Sequence, residues 1–348
     1  MTNRSANYEY VVARVRHRRA SLFAEEDYRK LLGMGLGGIA RFMEESPYQA
    51  EINDLGARYS GVQLIEYALN RNLAREFDDL LRWSEGQVYE LVARYLRKFD
   101  AWNLKTVLRG RYSDAEDAEI EENLIDAGAL DQEFFDRLIA APDIEAIVEQ
   151  IAETDFGEPV AEAYEDYEQT GLLTPLENAI DRAYYEGLID AEEADEGPIE
   201  LYQEFLQTEI DFRNVRNALR IARSGADIDP REYFIAGGKL FKEREIASLA
   251  SDREQLIAHV RESRYGDHLG PAIDALEQEA GLIQFERALD EALLSFADRL
   301  SHVYPLSVCP ILAYILAKER EVDNIRAIAH GKETDLSRST IENELVML

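Results

Sequence analysis

The chain has 348 residues, with 70 acids against 38 bases, a net charge of −32 and a pI near 4.5. With 46 % hydrophobic residues it can bury a sizeable core, and its length is that of about two or three domains. Its charge argues against free DNA or RNA as a partner, whose phosphates would be repelled, and its single cysteine, Cys309, excludes an internal disulfide or a multi-cysteine zinc site.

In chain order, Tyr8, Val11, Val12 and Val15 form one apolar stripe and predict a helix over Tyr8–Arg19. Its end carries a dense basic patch, Arg14, Arg16, His17, Arg18 and Arg19. We read the patch as ion pairing with local acids, aided by the negative end of the helix dipole; the competing reading is a partner contact through Arg14, Arg16, Arg18 and Arg19. Gly33, Gly35 and Gly38 fit a GxGxxG pattern, but no strand precedes them, so a turn between helices is the better account. Gln87–Leu96 is helical, with Val88, Leu91, Val92 and Tyr95 on one face, and Pro142 and Asp143 begin another helix carrying Ile144, Ile147, Val148 and Ile151. Leu282–Leu300 presents Phe285, Ala288, Leu289, Ala292, Leu293 and Phe296 on one side. Breaks fall at Ser113–Glu119, at the acidic connection Ala191–Pro198, at Ser224–Pro230 and at His330–Lys332. Strand-like alternation is hard to find, and the chain reads as all-α.

Two motifs recur in phase. Asp100, Asn103 and Lys105 return as Asp211, Asn214 and Arg216, and again as Glu321, Asn324 and Arg326; the asparagines are 111 and 110 residues apart. Arg109 and Arg220 follow the first two copies, where the third has His330. Glu66, Glu177 and Glu286 head the second motif, 111 and 109 residues apart. Ser46–Tyr48, Thr154–Phe156 and Ser263–Tyr265 are weaker echoes, as are Gly128 and Leu130 beside Gly238 and Leu240. This period far exceeds the ~20–50 residues of solenoid repeats. Three similar helical subdomains in pseudo-threefold arrangement are expected: 1–115, 116–225 and 226–335, with 336–348 as a C-terminal tail. An acid and an Asn three residues apart share a helix face. They can satisfy each other, a neighbouring helix or backbone groups. Threefold repetition favours such a structural role, because a catalytic site is normally built once.

Chemistry is scarce. His17, His259, His268, His302 and His330 form no familiar ligand spacing, and there is no P-loop. Acid pairs such as Asp78–Asp79 and Glu192–Glu193 follow from composition, and Arg82 rather than another acid comes four residues after Asp78. No catalytic residue, cofactor or metal is expected. Only seven bases are Lys, and a Lys-poor acidic surface suits high salt, where the Debye length falls to about 3 Å at 1 M. The N-terminus Met1–Ser5 is polar, and the charge-free stretch Ser301–Ala317 holds Pro305 and Pro310 and is shorter than the ~20 residues that span a bilayer. A soluble chain that meets a membrane only through partners is expected.

Tyr10–Arg16, Asp100–Gly110 and Pro305–Arg326, with Pro310–Tyr314 and Glu321–Arg326 carrying the last match, resemble the C subunit of archaeal A-type ATP synthases, a family related to the d subunit of vacuolar-type ATPases. The salt-adapted composition points to a haloarchaeal member. The resemblance implies a funnel of three helical subdomains, peripheral at the cytoplasmic face of the cell membrane. It would be a non-catalytic central-stalk component of a rotary ATP synthase, with the proteolipid rotor ring and the central-shaft subunits as partners. Its role would be coupling of hydrogen ion transport to ATP synthesis. Two other readings share the repeat: a general helical adaptor or scaffold, and a helical metal-dependent enzyme with acids converging from different copies.

Overall fold

The computed structural model describes residues 6–190, 197–224, 229–277 and 282–346. Among these residues the regular structure is helical, without a strand. In chain order the helices are α1 (Tyr8–Arg19), α2 (Glu25–Leu32), α3 (Leu36–Glu44), α4 (Gln49–Leu55), α5 (Gly61–Trp83), α6 (Gln87–Leu96), α7 (Lys98–Tyr112), α8 (Asp117–Glu122), α9 (Gln132–Ile139) and α10 (Ile144–Ile151). They continue as α11 (Gly157–Thr170), α12 (Thr174–Asp190), α13 (Gly197–Ser224), a short 3-10 turn at Pro230–Tyr233, α14 (Glu243–Ala250), α15 (Arg253–Glu262), α16 (Gly266–Glu277), α17 (Leu282–Val303), α18 (Cys309–Glu333) and α19 (Arg338–Glu342).

Local chemistry sets several of these starts and stops. Asp131, Asp143 and Asp252 stand before α9, α10 and α15, and each side chain accepts from a backbone N–H of the first turn at 2.8–3.1 Å. Gly171 ends α11 with φ 68°, a left-handed cap that suits glycine. Gly33 and Gly35 stand in a turn between α2 and α3, as expected, whereas Gly38 lies inside the first turn of α3. The expected break at His330–Lys332 is not one: α18 continues through Gly331 to Glu333. Gly331 serves packing, because a Cβ there would lie 2.5 Å from Ile341 Cγ1 of α19. Gly110 and Ile120 of α7 and α8 repeat that approach at 2.5 Å.

The chain divides into two compact units, Met1–Val92 with Pro271–Leu348, and Ala93–Gly270. In the first, α18 is the core element. It packs against α1, α2, α3, α5, α17 and α19, and buries residues on every side from Cys309 to Gly331. In the second, α7 packs against α8, α9, α10 and α12, while α13 packs against α12, α14, α15 and the 3-10 turn. The expected boundary at 225–226 and most of the acidic connection at 191–198 lie outside the described residues. The segment from 336 onward, expected as a tail, carries α19 and a buried Val346. It has a counterpart in the first copy. Asp114 and Asp335, 221 residues apart, take matching left-handed φ values of 55° and 54° before α8 and α19.

Candidate functional site

The three Asp/Glu-x-x-Asn motifs sit inside long helices, and each uses its polar pair to hold a separate backbone segment. On α7, Asn103 Nδ2 donates to the Ile125 carbonyl at 2.9 Å, and the Ile125 N–H returns to Asn103 Oδ1 at 2.9 Å. On α13, Asn214 does the same with Ile235 at 2.8 and 3.0 Å. On α18, Asn324 does it with Val346 at 2.8 and 3.0 Å. One side-chain amide thus satisfies both backbone groups of a buried residue that has no helix to pair in.

The acids complete the clips. Asp100, fully buried, accepts from Ala129 N–H and Leu130 N–H at 2.9–3.0 Å, and Asp211 from Lys239 N–H and Leu240 N–H at 2.8 Å. Glu321 accepts from the Phe23 N–H at 2.5 Å. In the first two copies acid and Asn therefore grip one following segment. In the third they grip two segments far apart in sequence, the one between α1 and α2 and the one after α19. Tyr48 and Tyr265 each donate a hydroxyl to the acid of their clip, at 2.7 Å to Glu321 and 2.6 Å to Asp211. Phe156 occupies the corresponding sequence position without a hydroxyl, and there Arg97 approaches Asp100 at 3.7 Å. Burial lifts the carboxyl groups of Asp100 and Asp211 above the usual range, against the pull of their backbone donors.

The glycines before the gripped residues have a steric reason. A Cβ on Gly128 would overlap Asp100 Oδ1, and one on Gly238 would overlap Asp211 Oδ1. Gly238→Ala is therefore expected to lower stability by about 1–3 kcal/mol through overpacking. Gly35→Ala, whose Cβ meets nothing within 4 Å, should stay within about 1 kcal/mol of the parent. Denaturant midpoints of the two variants test this; equal midpoints would refute the close-approach role.

The second motif pairs with the bases of the first. Arg326 Nε binds Glu66 at 2.6 Å, with its Nη2 on Asn70 at 2.9 Å, and His330 Nε2 reaches Glu66 at 3.2 Å. Arg109 Nε binds Glu177 at 2.6 Å, and Lys105 binds Asp181 at 2.5 Å. His330 and Arg109 thus stand against equivalent acids, Glu66 and Glu177. Glu286 lies half-buried on α17 and Arg220 is exposed on α13.

Two residues of the basic patch on α1, Arg18 and Arg19, are held in ion pairs. Arg18 pairs with Glu76 and with Asp79, the latter at 2.5 Å, and Arg19 pairs with Asp298 at 2.5 Å. Arg14 stacks 4.0 Å over the Tyr10 ring. Arg16 points to solvent. Sequence reasoning missed the buried groups that feed these networks: Lys318, with Nζ 2.8 Å from Glu321 and 2.8 Å from Tyr48 Oη; Glu76, held by Tyr314 at 2.5 Å; and Glu209, held by Tyr185 at 2.9 Å and Tyr95 at 3.2 Å. An acid and a base three apart in the apolar face of α18 were the available signal. Chemically, these carboxylates are capped by donors and set up to hold chain segments. Among the described residues no three His, Cys, Asp or Glu side chains are placed to share a metal ion, and no helix is long and apolar enough to cross a membrane.

Comparison with known proteins extends this picture over the whole chain. The model of the ATP synthase (C/AC39) subunit family matches residues 11–344. The A-type ATP synthase C subunit of Haloferax volcanii is 59 % identical, over 100 % of this chain and 99 % of its own length. That of Halorubrum lacusprofundi is 58 % identical over 99 % of this chain and 98 % of its own. Methanosarcina acetivorans has an A-type ATP synthase C subunit that is 36 % identical over 99 % of this chain and 94 % of its own length. A match along nearly every residue, with identity this high in salt-loving archaea, means that the chain belongs to the ATP synthase (C/AC39) subunit family.

Proposed function

We propose that this protein is a non-catalytic central-stalk component of a rotary A-type ATP synthase, joining the membrane proteolipid ring to the central shaft during proton-driven ATP synthesis. The observation that carries the reading is the full-length family match. The side-chain chemistry supports it. Torque transfer needs a body that resists deformation, and the repeated polar residues here are committed to holding backbone segments onto long helices. Each such buried hydrogen bond contributes about 0.5–1.5 kcal/mol and fixes the connection it holds. In this reading the three copies form three similar helical subdomains about a pseudo-threefold axis, a funnel that receives the shaft tip. The protein stands at the cytoplasmic face of the membrane and touches it only through the ring.

The test is reconstitution of the complex in vesicles with and without this chain, following ATP turnover and proton movement together. Without it, the catalytic head is expected to hydrolyse ATP while proton pumping and proton-driven synthesis fall to background. Coupled flux at normal levels in its absence would overturn the stalk reading. So would ATP hydrolysis by the purified chain that vanishes when its own acids are substituted.

A further inference from the structure

Within the second unit, α7, α12, α13 and the segment after the 3-10 turn enclose a cleft of about 380 Å³. That lies within the range of small-molecule sites, roughly 300–1,000 Å³. Its lining contains five bases, Lys105, Arg109, Arg182, Arg213 and Arg220, and two acids, Glu177 and Asp181. Glu232 lies within electrostatic reach of Arg182, and Glu209 within reach of Arg213, which brings the acids to four against five bases. A net-positive concavity on a chain of net charge −32 is the inverse of its surroundings.

Asp181 serves two cations at once, Lys105 at 2.5 Å and Arg213 at 3.1 Å. Glu177 is taken by Arg109 at 2.6 Å. Arg182 Nε is buried without a hydrogen-bond partner. Burial depresses the Lys105 ammonium, and the neighbouring Arg213 and Arg109 add to that against the pull of Asp181. Cations gathered in a partly enclosed cavity repel one another and focus a positive field into the space between them. A further carboxylate would relieve this, and 70 acids make one easy to supply; instead the lining leaves an open volume.

We propose that this cleft binds a multivalent oxyanion of the phosphate class. Guanidinium groups present planar forks that match phosphate oxygens two at a time, which chloride cannot exploit. The proposal is independent of the stalk role, and neither outcome of its test bears on that role. The experiment is calorimetric titration of the full chain with inorganic phosphate, then pyrophosphate, at a fixed multimolar KCl concentration. One saturable site per chain is expected, tighter for pyrophosphate. Arg182→Gln with Arg220→Gln should weaken it at least about ten-fold, as loss of charge-assisted contacts requires, whereas Arg16→Gln on α1 should leave it unchanged. If the double variant loses its helical circular dichroism, hydrogen exchange of the parent chain decides: phosphate should protect 174–182 and 213–221. No saturable binding, equal affinity in a folded double variant, or protection confined to other segments would overturn the proposal. Displacement of phosphate by an oligoglutamate peptide at concentrations below those at which phosphate binds would also overturn it, assigning the cleft to an acidic protein segment.

Discussion

Moved from multimolar KCl to about 0.1 M, the isolated chain is expected to lose roughly 12–24 °C in Tm. At 1 M salt the Debye length is about 3 Å and exposed carboxylates do not sense one another; at 0.1 M it is about 10 Å and they do. If each of the 32 uncompensated charges meets about 0.2 kcal/mol of unscreened repulsion, the low end for exposed pairs, the loss is near 6 kcal/mol. For a large domain about 1 kcal/mol moves Tm by ~2–4 °C. The effect should begin locally. Helix α11 exposes Glu158, Glu162, Glu165, Asp166 and Glu168 and contains no base. Its like charges stand three and four residues apart, where each pair destabilises a helix by a few tenths of a kcal/mol. Thermal scans across a KCl series test the global claim, and hydrogen exchange tests the local one. A flat or falling Tm with rising salt would refute salt adaptation, and α11 exchanging no faster than α10 at low salt would refute the local origin.

Features whose cause is local were the legible ones. The apolar stripes of α1, α6 and α10 appear at the expected residues because periodicity reports directly on which face is buried. The repeated Asn could be recognised, since a side chain doing the same job three times keeps its spacing. The targets of those side chains were not legible. Nothing near Glu321 indicates that its partner is the Phe23 N–H, 298 residues away, because a backbone donor has no sequence signature. The echo at Tyr48 and Tyr265 was visible as an alignment, but not as a hydroxyl aimed at a carboxylate. Gly331 misled for a definite reason: glycine serves both helix ends and close approach, and only Ile341 across from it shows which. The α1 arginines read as either ion pairs or a docking patch. Arg18 and Arg19 hold acids of α5 and α17, which sequence spacing cannot reveal.

Lys318→Met is expected to destabilise the chain by about 3–5 kcal/mol, the loss typical of removing one partner from a buried ion pair. Lys318 and Glu321 are 2 % and 3 % exposed and stand three residues apart on α18, with Tyr48 completely buried against both. The ammonium donates to Glu321 Oε1 and to the Tyr48 hydroxyl and lies 4.1 Å from the Tyr48 ring centre. The carboxylate also accepts from Tyr48 and from the Phe23 N–H. One buried charge pair therefore joins the connection between α1 and α2, the turn before α4 and the core helix. Methionine fills the stem but leaves the carboxylate without its counter-charge in a poorly solvated site. Burial and that carboxylate hold the Tyr48 phenol well above its ordinary pKa, so the tyrosine stays neutral and offers the carboxylate a hydrogen bond but no counter-charge. Adding Glu321→Gln to Lys318→Met removes the orphaned charge while leaving an acceptor for Phe23. It should recover part of the loss, so that the two substitutions together cost less than their separate effects added. Denaturant unfolding of the parent, both single variants and the double variant in high salt supplies the cycle. A loss below about 1 kcal/mol for Lys318→Met, or strictly additive effects, would mean that the pair contributes little and that apolar packing around α18 alone holds this unit together.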